Sequence, residues 1–442
     1  MAISPLDSAL FGRLLSDPAL VPIFSDAHLV AEMVAVERAL ARAEGRVGVI
    51  PADHAAAIDA ALEGLVIDPA ELAAGTDADG VPVPALVKAL RATVGGEAAQ
   101  SVHWGATSQD ILDTATMRQL GAALAVLAVR LDAVIAALAA LADRHRATVM
   151  IGRTRGQQAA PTSFGLKVAG WLAPLLRHRR RLAELRPRAL TAALGGAVGT
   201  LAALGDRGLA VAIAFADEVG LPVAIIPWHS QRDGVAEVAG WAVFLSGSLG
   251  KIAQDVILLA QNEVGEVREG GGGGGSSTMP NKANPVRSEA VLAVARANAG
   301  LIGQIGQALI HGHERDGAAW AQEWLALSQI MVGAGAALTG IERLLADLVV
   351  DAGRMAANLE ATRGLVLAEA AAFALSAHMP RPDAQALVKD ACAEATASGR
   401  SLVAVLRERV AAPVDWGRLA DPQTAIGQAD ALIDRVLAAV VR

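Results

Sequence analysis

A run of six glycines followed by hydroxyl, lysine and amide side chains is the segment of this chain best suited to chemistry. The glycines occupy 270–275, and Ser276, Lys282 and Asn284 follow them. Glycine lacks the side-chain restriction on φ and ψ, so the run should stay flexible until a ligand organises it. A plain linker is the alternative, but a linker does not need the stiffening that the two following prolines impose. The pattern predicts a mobile loop that closes over an anion.

A second polar cluster lies just before a long apolar stretch and contains His103, Thr107, Ser108 and Asp110. Thr107 or Ser108 could cap a helix, and Asp110 follows Thr107 at the spacing of a capping box. The N–H groups and hydroxyls at a helix N-terminus also bind carboxylates. Capping and substrate binding are compatible, so both interpretations stay open.

Arginine and threonine side chains define a third cluster, which we expect to form a polar loop before a helix. Arg153, Thr154, Arg155 and Gln157 lie within 152–161. Two arginines beside a threonine suit a clamp for carboxylates. Solvated arginines are the alternative interpretation.

Two further polar stretches could supply binding or proton-transfer groups. His229 stands among Trp, Gln, Arg and Asp in the loop that opens a second long helix, a better setting for chemistry than that of an isolated histidine. Arg315 follows His311, His313 and Glu314. That grouping could suggest a metal, but its spacing matches no strong ligand motif. Neither a metal nor an organic cofactor is expected.

Long helices must position these clusters. Apolar residues recur at alternating spacings of four and three from Thr116 to His145, and again from Trp241 toward Glu263. This heptad pattern predicts two helices, each roughly 45 Å long, of a kind that fits a bundle shared between subunits. Ser163 to Leu185 and Pro285 to Ile310 are also predicted to be helical. The glycine-rich stretch 194–199 follows no strand, so it is predicted to be a turn and not a nucleotide-binding loop.

The composition favours an all-α fold. Of 442 residues, 53% are hydrophobic but only 3% are aromatic, so the core must consist largely of Ala, Leu and Val, which suits closely packed helices. We predict an N-terminal helical domain over 1–105, a central domain of long helices over 106–350, and a C-terminal helical domain over 351–442.

Charge and cysteine usage narrow the choice of partner and compartment. The net charge is -7, and acidic and basic residues are mixed throughout the chain, so no basic surface that would bind nucleic acid or an anionic membrane is expected. The single cysteine, Cys392, excludes an intrachain disulfide and fits a reducing cytoplasm. No uninterrupted apolar stretch long enough to span a bilayer is expected. The sequence therefore predicts a soluble, cytoplasmic protein.

The loop sequence GSSTMPNKANP, at 275–285, resembles the GSSxMPxKxNP signature of the fumarase/aspartase superfamily. Segments 105–114 and 152–161 are similar to the two other regions that build the active site there. The resemblance implies an all-helical homotetramer whose central helices form a twenty-helix core. It also implies active sites that are each assembled from three subunits.

The resemblance also assigns roles to residues of this chain. Ser276 matches the serine that acts as acid or base at carbon, and Lys282 and Asn284 match residues that hold a substrate carboxylate. His229 is a reserve candidate for proton transfer. The expected substrate-binding residues also include His103, Thr107, Ser108, Arg153, Thr154, Gln157 and Arg315.

One departure from the superfamily bears on the reaction. Its lyases carry a histidine where this chain has Arg155, although the glutamate that partners that histidine is present as Glu289. We predict that Arg155 and Glu289 form a structural salt bridge across a subunit junction. Elimination of an amine needs a second acid-base group, whereas lactonisation uses the substrate's own ionised carboxylate as nucleophile. The loss of the histidine therefore favours lactonisation.

Stretches 103–114, 227–233 and 313–324 are similar to the branch of the superfamily that lactonises 3-carboxy-cis,cis-muconate, a small tricarboxylate. The expected activity is therefore that of a cycloisomerase. A muconate with another 3-substituent, a C–N lyase of the adenylosuccinate lyase type and a catalytically silent scaffold are the alternatives.

Overall fold

The computed structural model describes residues 4–441 and is built mainly from α-helices. Five helices come first along the chain: α1 Gly12–Leu15, α2 Asp26–Val47, α3 Ala52–Leu62, α4 Pro69–Asp79 and α5 Val83–Val94. Six follow, most of them long: α6 Ser108–Arg144, α7 Phe164–Ala189, α8 Gly208–Val219, α9 Asp233–Leu259, α10 Val286–Ala308 and α11 Gly317–Asp347. The remaining helices are α12 Ala352–Ala361, α13 Ala368–Ser376, α14 Arg381–Ser398, α15 Leu402–Arg409, α16 Trp416–Ala420 and α17 Ala429–Ala438.

The predicted heptad seams are confirmed on α6 and α9. The helices have 37 and 27 residues, and α6 begins earlier than its seam, at the polar cluster around Ser108. Their seam residues are all buried, as expected for side chains that face a helical core. They are Leu120, Leu124, Leu127, Leu131, Val134, Leu138 and Leu141 on α6, and Trp241, Leu245, Leu249, Ile252, Val256 and Leu259 on α9.

The described chain also contains two small antiparallel sheets. Strands β1 Val149–Thr154 and β2 Gln157–Ser163 form a hairpin with an irregularity in register between Ile151 and Arg153. Strands β3 Val267–Arg268 and β4 Val349–Val350 form a second pair. The expectation of a loop over 152–161 was wrong, because pairing of the two strands satisfies their backbone groups despite many polar side chains.

The described chain divides into two compact units. The first unit comprises the described residues up to Arg130, together with His178–Leu249 and Ala293–Thr339. Its core includes residues of α2 to α6 and α8, with Trp320. The second unit comprises Leu131–Arg177, Gly250–Leu292 and the described residues from Gly340 onward. Its core combines Ile151 with residues from α12 to α16. The proposed three-domain division stays a prediction.

Small residues let helices approach closely in the first unit. A Cβ atom placed on Gly45 of α2 would lie 2.4 Å from the Cβ of Ala55 on α3. Such a distance is far inside van der Waals contact, so only glycine fits there. This packing agrees with the prediction that an interior poor in aromatic residues would be built from closely packed helices.

Three helices are long and apolar enough to cross a membrane, judged by length and composition only: α6, α9 and α11. The sequence-based expectation that no stretch would be long enough was therefore wrong. The reason is that alanine and the seam leucines together raise the mean hydropathy of these helices. On α6 and α9 the seam itself is buried within the protein.

Candidate functional site

The N-terminus of α6 is organised around the buried carboxylate of Asp110. The Thr107 N–H donates to it over 2.9 Å, which is the half of the predicted capping box that the Asp110 side chain supplies. The N–H groups of Gly195 and Gly196 also donate to this carboxylate, over 2.8 and 2.9 Å. His229 Nε2 lies 2.6 Å from Asp110 Oδ1. Asp110 therefore joins the start of α6 to two loops that are distant in sequence.

His229 is buried and held from two sides. Asp110 occupies its Nε2, and its backbone carbonyl accepts a hydrogen bond from the Gln109 side chain over 2.9 Å. A Cβ on Gly195 would lie 2.9 Å from His229 Cε1, so this part of the predicted 194–199 turn needs glycine to make room for the imidazole. With Nε2 engaged, Nδ1 is the ring nitrogen left for a further partner.

Beside this cluster, a buried guanidinium connects two buried carboxylates. Arg232 donates to Asp113 over 2.5 and 3.0 Å and to Glu323 over 2.8 and 2.6 Å. Trp320 Nε1 also donates to Asp113, over 3.0 Å. Burial raises the pKa of Glu323, and this effect is larger than the lowering caused by the positive charge of Arg232. For Arg232 burial alone would lower the pKa, but the charges of Asp113 and Glu323 raise it overall. Removing one partner would leave an uncompensated charge in the interior.

Gln109 connects this network to Arg315. Its side-chain amide donates to Asp113 over 3.0 Å, while its carbonyl oxygen accepts from Arg315 Nε over 2.8 Å. Arg315 is otherwise exposed. A fixed Nε beside exposed terminal nitrogens suits an arginine that binds an anion.

His103 is held by a glutamate from α2. Its backbone has a φ of 62°, in the left-handed region, and its Nδ1 lies 2.6 Å from Glu37 Oε1. Burial would lower the pKa of His103, but the charge of Glu37 outweighs it and raises that pKa. The pair therefore favours a protonated imidazole.

A second glutamate of α2, Glu44, is fully buried and neither of its carboxylate oxygens has a hydrogen-bond partner. Burial, with a smaller contribution from the charge of Glu37, raises the pKa of Glu44 to about 9 from an ordinary value of 4.5. A neutral carboxyl group is the form that such an environment stabilises.

The glycine run and the residues after it form a folded-back loop in the second unit. Gly274 has a φ of 81°, and its carbonyl accepts from the backbone N–H and the side-chain amide of Asn284, over 2.8 and 3.0 Å. Gly275 and Ala283 pair in an antiparallel bridge. A Cβ on Gly274 would lie 2.1 Å from the carbonyl oxygen of Asn284, so glycine is required there. The side chain of Asn284 is thus engaged within the loop, while Lys282 is exposed.

Ser276 lies near the tip of this loop. Its Oγ accepts hydrogen bonds from the backbone N–H groups of Thr278 and Met279, over 3.3 and 3.1 Å. Two N–H dipoles directed at one oxygen stabilise negative charge on it.

The β1–β2 hairpin also lies in the second unit and carries four of the predicted site residues. Arg153 pairs with the buried Glu266 over 2.7 and 2.9 Å, so its charge is already balanced within the chain. Thr154, Arg155 and Gln157 are exposed at the hairpin turn. This two-residue turn holds Arg155 at a φ of 52° and the following glycine at 78°, as tight hairpins require.

Glu289 is exposed near the start of α10. Within residues 4–441 no ion pair joins Arg155 to Glu289 in a single chain. The predicted salt bridge between different subunits stays a prediction.

The sequence-based site did not include the partners that hold its members in place. Each is a buried acid or amide, a residue type that is rarely buried without a partner. They are Glu37, Gln109, Asp110, Asp113, Glu266 and Glu323. Glu37 and Glu323 have mainly apolar neighbours in the sequence, and that setting is a signal that could have revealed those two.

Comparison with known proteins identifies a family over most of the chain. Residues 16–300 match the family described as lyase, and residues 364–436 match the adenylosuccinate lyase C-terminus. A 3-carboxy-cis,cis-muconate cycloisomerase from Pseudomonas aeruginosa is 45% identical, over 94% of this chain and 93% of that protein.

Two further similarities bear on structure and reaction. The crystal structure of 3-carboxy-cis,cis-muconate lactonizing enzyme from Pseudomonas putida superposes with a TM-score of 0.92 at 39% identity, covering 98% of this chain and 99% of that one. A nitrosuccinate lyase from Streptomyces davaonensis is 41% identical over 98% of this chain and 95% of its own length.

The pH dependence of the protein's stability tests whether the pKa of the buried Glu44 is raised. Because its pKa in the folded protein is raised to about 9, its contribution to stability is fully present below pH 4.5 and is lost as the pH rises toward 9. Glu44→Gln should remove this dependence. Between pH 5 and 9 the free energy of unfolding of the wild type should therefore fall relative to the variant, by up to about 1.4 kcal/mol per pH unit.

Chemical denaturation followed by circular dichroism at each pH measures the difference. Glu360→Gln changes an exposed glutamate in the same way and serves as the control, which should track the wild type. Parallel curves for the wild type and Glu44→Gln would contradict the raised pKa.

Proposed function

Because the chain belongs to the lyase family of the fumarase/aspartase superfamily, we propose that it lactonises 3-carboxy-cis,cis-muconate. The observation that carries this proposal is near-full-length similarity to cycloisomerases of that specificity. Arg155, at the position where the superfamily's lyases have a catalytic histidine, supports it independently. A site with one acid-base group suits a reaction that needs one proton transfer, at carbon.

The proposed reaction forms one ring bond and uses one proton. A carboxylate oxygen of the substrate attacks an alkene carbon within the same molecule, and the C=C bond becomes a single bond. Negative charge builds up on the neighbouring carbon and on the carboxylate attached to it. A proton delivered to that carbon completes the lactone, in which two of the three carboxylates remain free. Groups that stabilise the intermediate charge supply most of the rate enhancement.

The glycine-rich loop supplies the proton-transfer group in this proposal. Ser276 protonates the carbon, and the N–H groups of Thr278 and Met279 stabilise the oxygen as its proton leaves. The serine oxygen then takes up a proton from water, so each turnover consumes one proton. Lys282, which is exposed on the loop, stabilises the carboxylate that carries the developing charge. The side-chain amide of Asn284 donates to the Gly274 carbonyl, so in this loop conformation Asn284 stabilises the shape of the loop.

In the proposed mechanism Arg315 and His229, contributed by another chain of the proposed assembly, bind the rest of the substrate. Arg315 presents its exposed terminal nitrogens to a carboxylate while Gln109 fixes its Nε. Nε2 of His229 contacts Asp110, which leaves only Nδ1 for the substrate. His229 therefore acts as a hydrogen-bonding group and is the reserve candidate for proton transfer.

We also propose that four chains assemble and share their active sites. Large apolar side chains are exposed on three of the long helices, namely Val129 at 72%, Phe244 at 63% and Leu325 at 60%. Large apolar side chains exposed on long helices are typical of a surface through which chains associate. Light scattering on the purified protein should give a mass of about four chains, whereas a monomeric mass would exclude shared sites.

Turnover by the wild-type protein tests the reaction directly. Incubation with 3-carboxy-cis,cis-muconate should abolish the diene absorbance, and the product should carry a lactone carbonyl in its infrared spectrum. The nitrosuccinate lyase relative favours a second candidate, elimination from a substituted succinate. Turnover of nitrosuccinate or adenylosuccinate, without loss of the diene absorbance, would replace the proposed reaction by that one.

Ser276→Ala tests the proton-transfer role within the loop. Loss of the group that delivers the proton should lower kcat by about 100-fold to 10,000-fold while leaving the helical circular dichroism unchanged. Ser277→Ala removes the neighbouring hydroxyl from the same loop and should reduce kcat much less. Similar losses in both variants would show that the loop, and not this hydroxyl, is what the reaction needs.

A further inference from the structure

A cavity of about 420 Å³ lies beside the start of α6 and is lined on one side by α5. Its polar lining consists of Lys88, Arg91, His103 and Ser108. Three of these four side chains are basic, although the protein as a whole has a net charge of -7. The cavity therefore concentrates positive charge on an acidic protein.

The charges of the cavity are only partly balanced by the protein. His103 is paired with Glu37, and Asp110 adds a weaker electrostatic influence on it. Arg91 donates one hydrogen bond, to the backbone carbonyl of Val102 over 3.1 Å. Among residues 4–441, neither Lys88 nor Arg91 forms an ion pair with a carboxylate. Two cations are thus left for a ligand to neutralise.

The backbone that carries Lys88 and Arg91 is firmly anchored. Helix α5 buries one apolar face in the core of the first unit, through Val83, Leu86, Val87 and Leu90. Basic side chains on an anchored helix hold an anion at a constant position, which suits a group that does not react. The glycine-rich loop has the opposite character and suits the reacting carboxylate, whose charge changes during the reaction.

We propose that this cavity is the subsite for the unreactive 3-carboxylate of the substrate, with Lys88 and Arg91 as residues that determine specificity. The inference rests on the proposed lactonisation and deepens it. Lys88 and Arg91 supply the charge, His103 adds a hydrogen-bond donor through Nε2, and Ser108 supplies a hydroxyl. The volume is in the range of sites that bind small molecules, so it accommodates the carboxylate with part of its carbon chain.

Lys88→Gln tests the subsite, because it removes one charge from an exposed side chain without disturbing the core. KM for 3-carboxy-cis,cis-muconate should rise about tenfold, which corresponds to about 1.4 kcal/mol, with a smaller change in kcat. Inhibition by cis,cis-muconate, which lacks the 3-carboxylate, should change less than about twofold. Lys88→Arg should restore most of the affinity, and Lys389→Gln, which removes an exposed lysine on α14, should behave as the wild type.

Binding measured by calorimetry separates failure of the subsite from failure of the reaction. If Lys88→Gln weakens binding of the tricarboxylate selectively, the subsite stands even where the wild type shows no lactonisation. If the wild type lactonises its substrate and Lys88→Gln binds both muconates as the wild type does, the subsite is wrong and the reaction stands. If Lys88→Gln weakens the binding of the two muconates equally, the proposed subsite is also wrong, because the lysine then does not recognise the 3-carboxylate.

Discussion

Three helices of the first unit meet at the buried guanidinium of Arg232, and the polar part of the site depends on it. Asp113 comes from α6, Glu323 from α11, and Arg232 immediately precedes α9. Burying two carboxylates is costly unless a cation with several donors neutralises both. Arginine meets this requirement because its planar fork can bind two carboxylates at once, which a lysine ammonium cannot reproduce.

The remaining contacts of the first unit extend outward from that ion cluster. Asp113 orients Gln109, and Gln109 in turn fixes both Arg315 and the loop that carries His229. Asp110, which precedes Asp113 by nearly one turn of α6, fixes the imidazole itself. The groups that would meet a substrate are thus positioned through residues that need never touch it. Such supporting contacts are what keep an exposed arginine or a histidine in one geometry.

Much of the fold could be predicted from the sequence because its strongest signal is long and periodic. Heptad spacing marks α6 and α9 over many turns, and each buried seam follows from it. The hairpin at Arg155 escaped prediction because its strands are short and mix apolar and polar residues without a clear period of two. For the site, the loop motif around Ser276 was visible in sequence, but the pairing of Arg153 with Glu266 was not. Those two residues lie 113 positions apart, and a pairing at that separation is fixed only by tertiary structure.

The glycine run has a consequence for the release of product. Gly270 and Gly274 have no room for a side chain against Asp347 and Asn284, whereas a Cβ on Gly273 or Gly275 would meet nothing within 4 Å. Sterics therefore account for only part of the run, and the remaining glycines enlarge the number of conformations that the unliganded loop can adopt. Ordering such a segment around a ligand costs more entropy than ordering a stiffer one. The loop consequently holds any ligand less tightly than its contacts alone would allow, which favours fast departure of a lactone once it has formed.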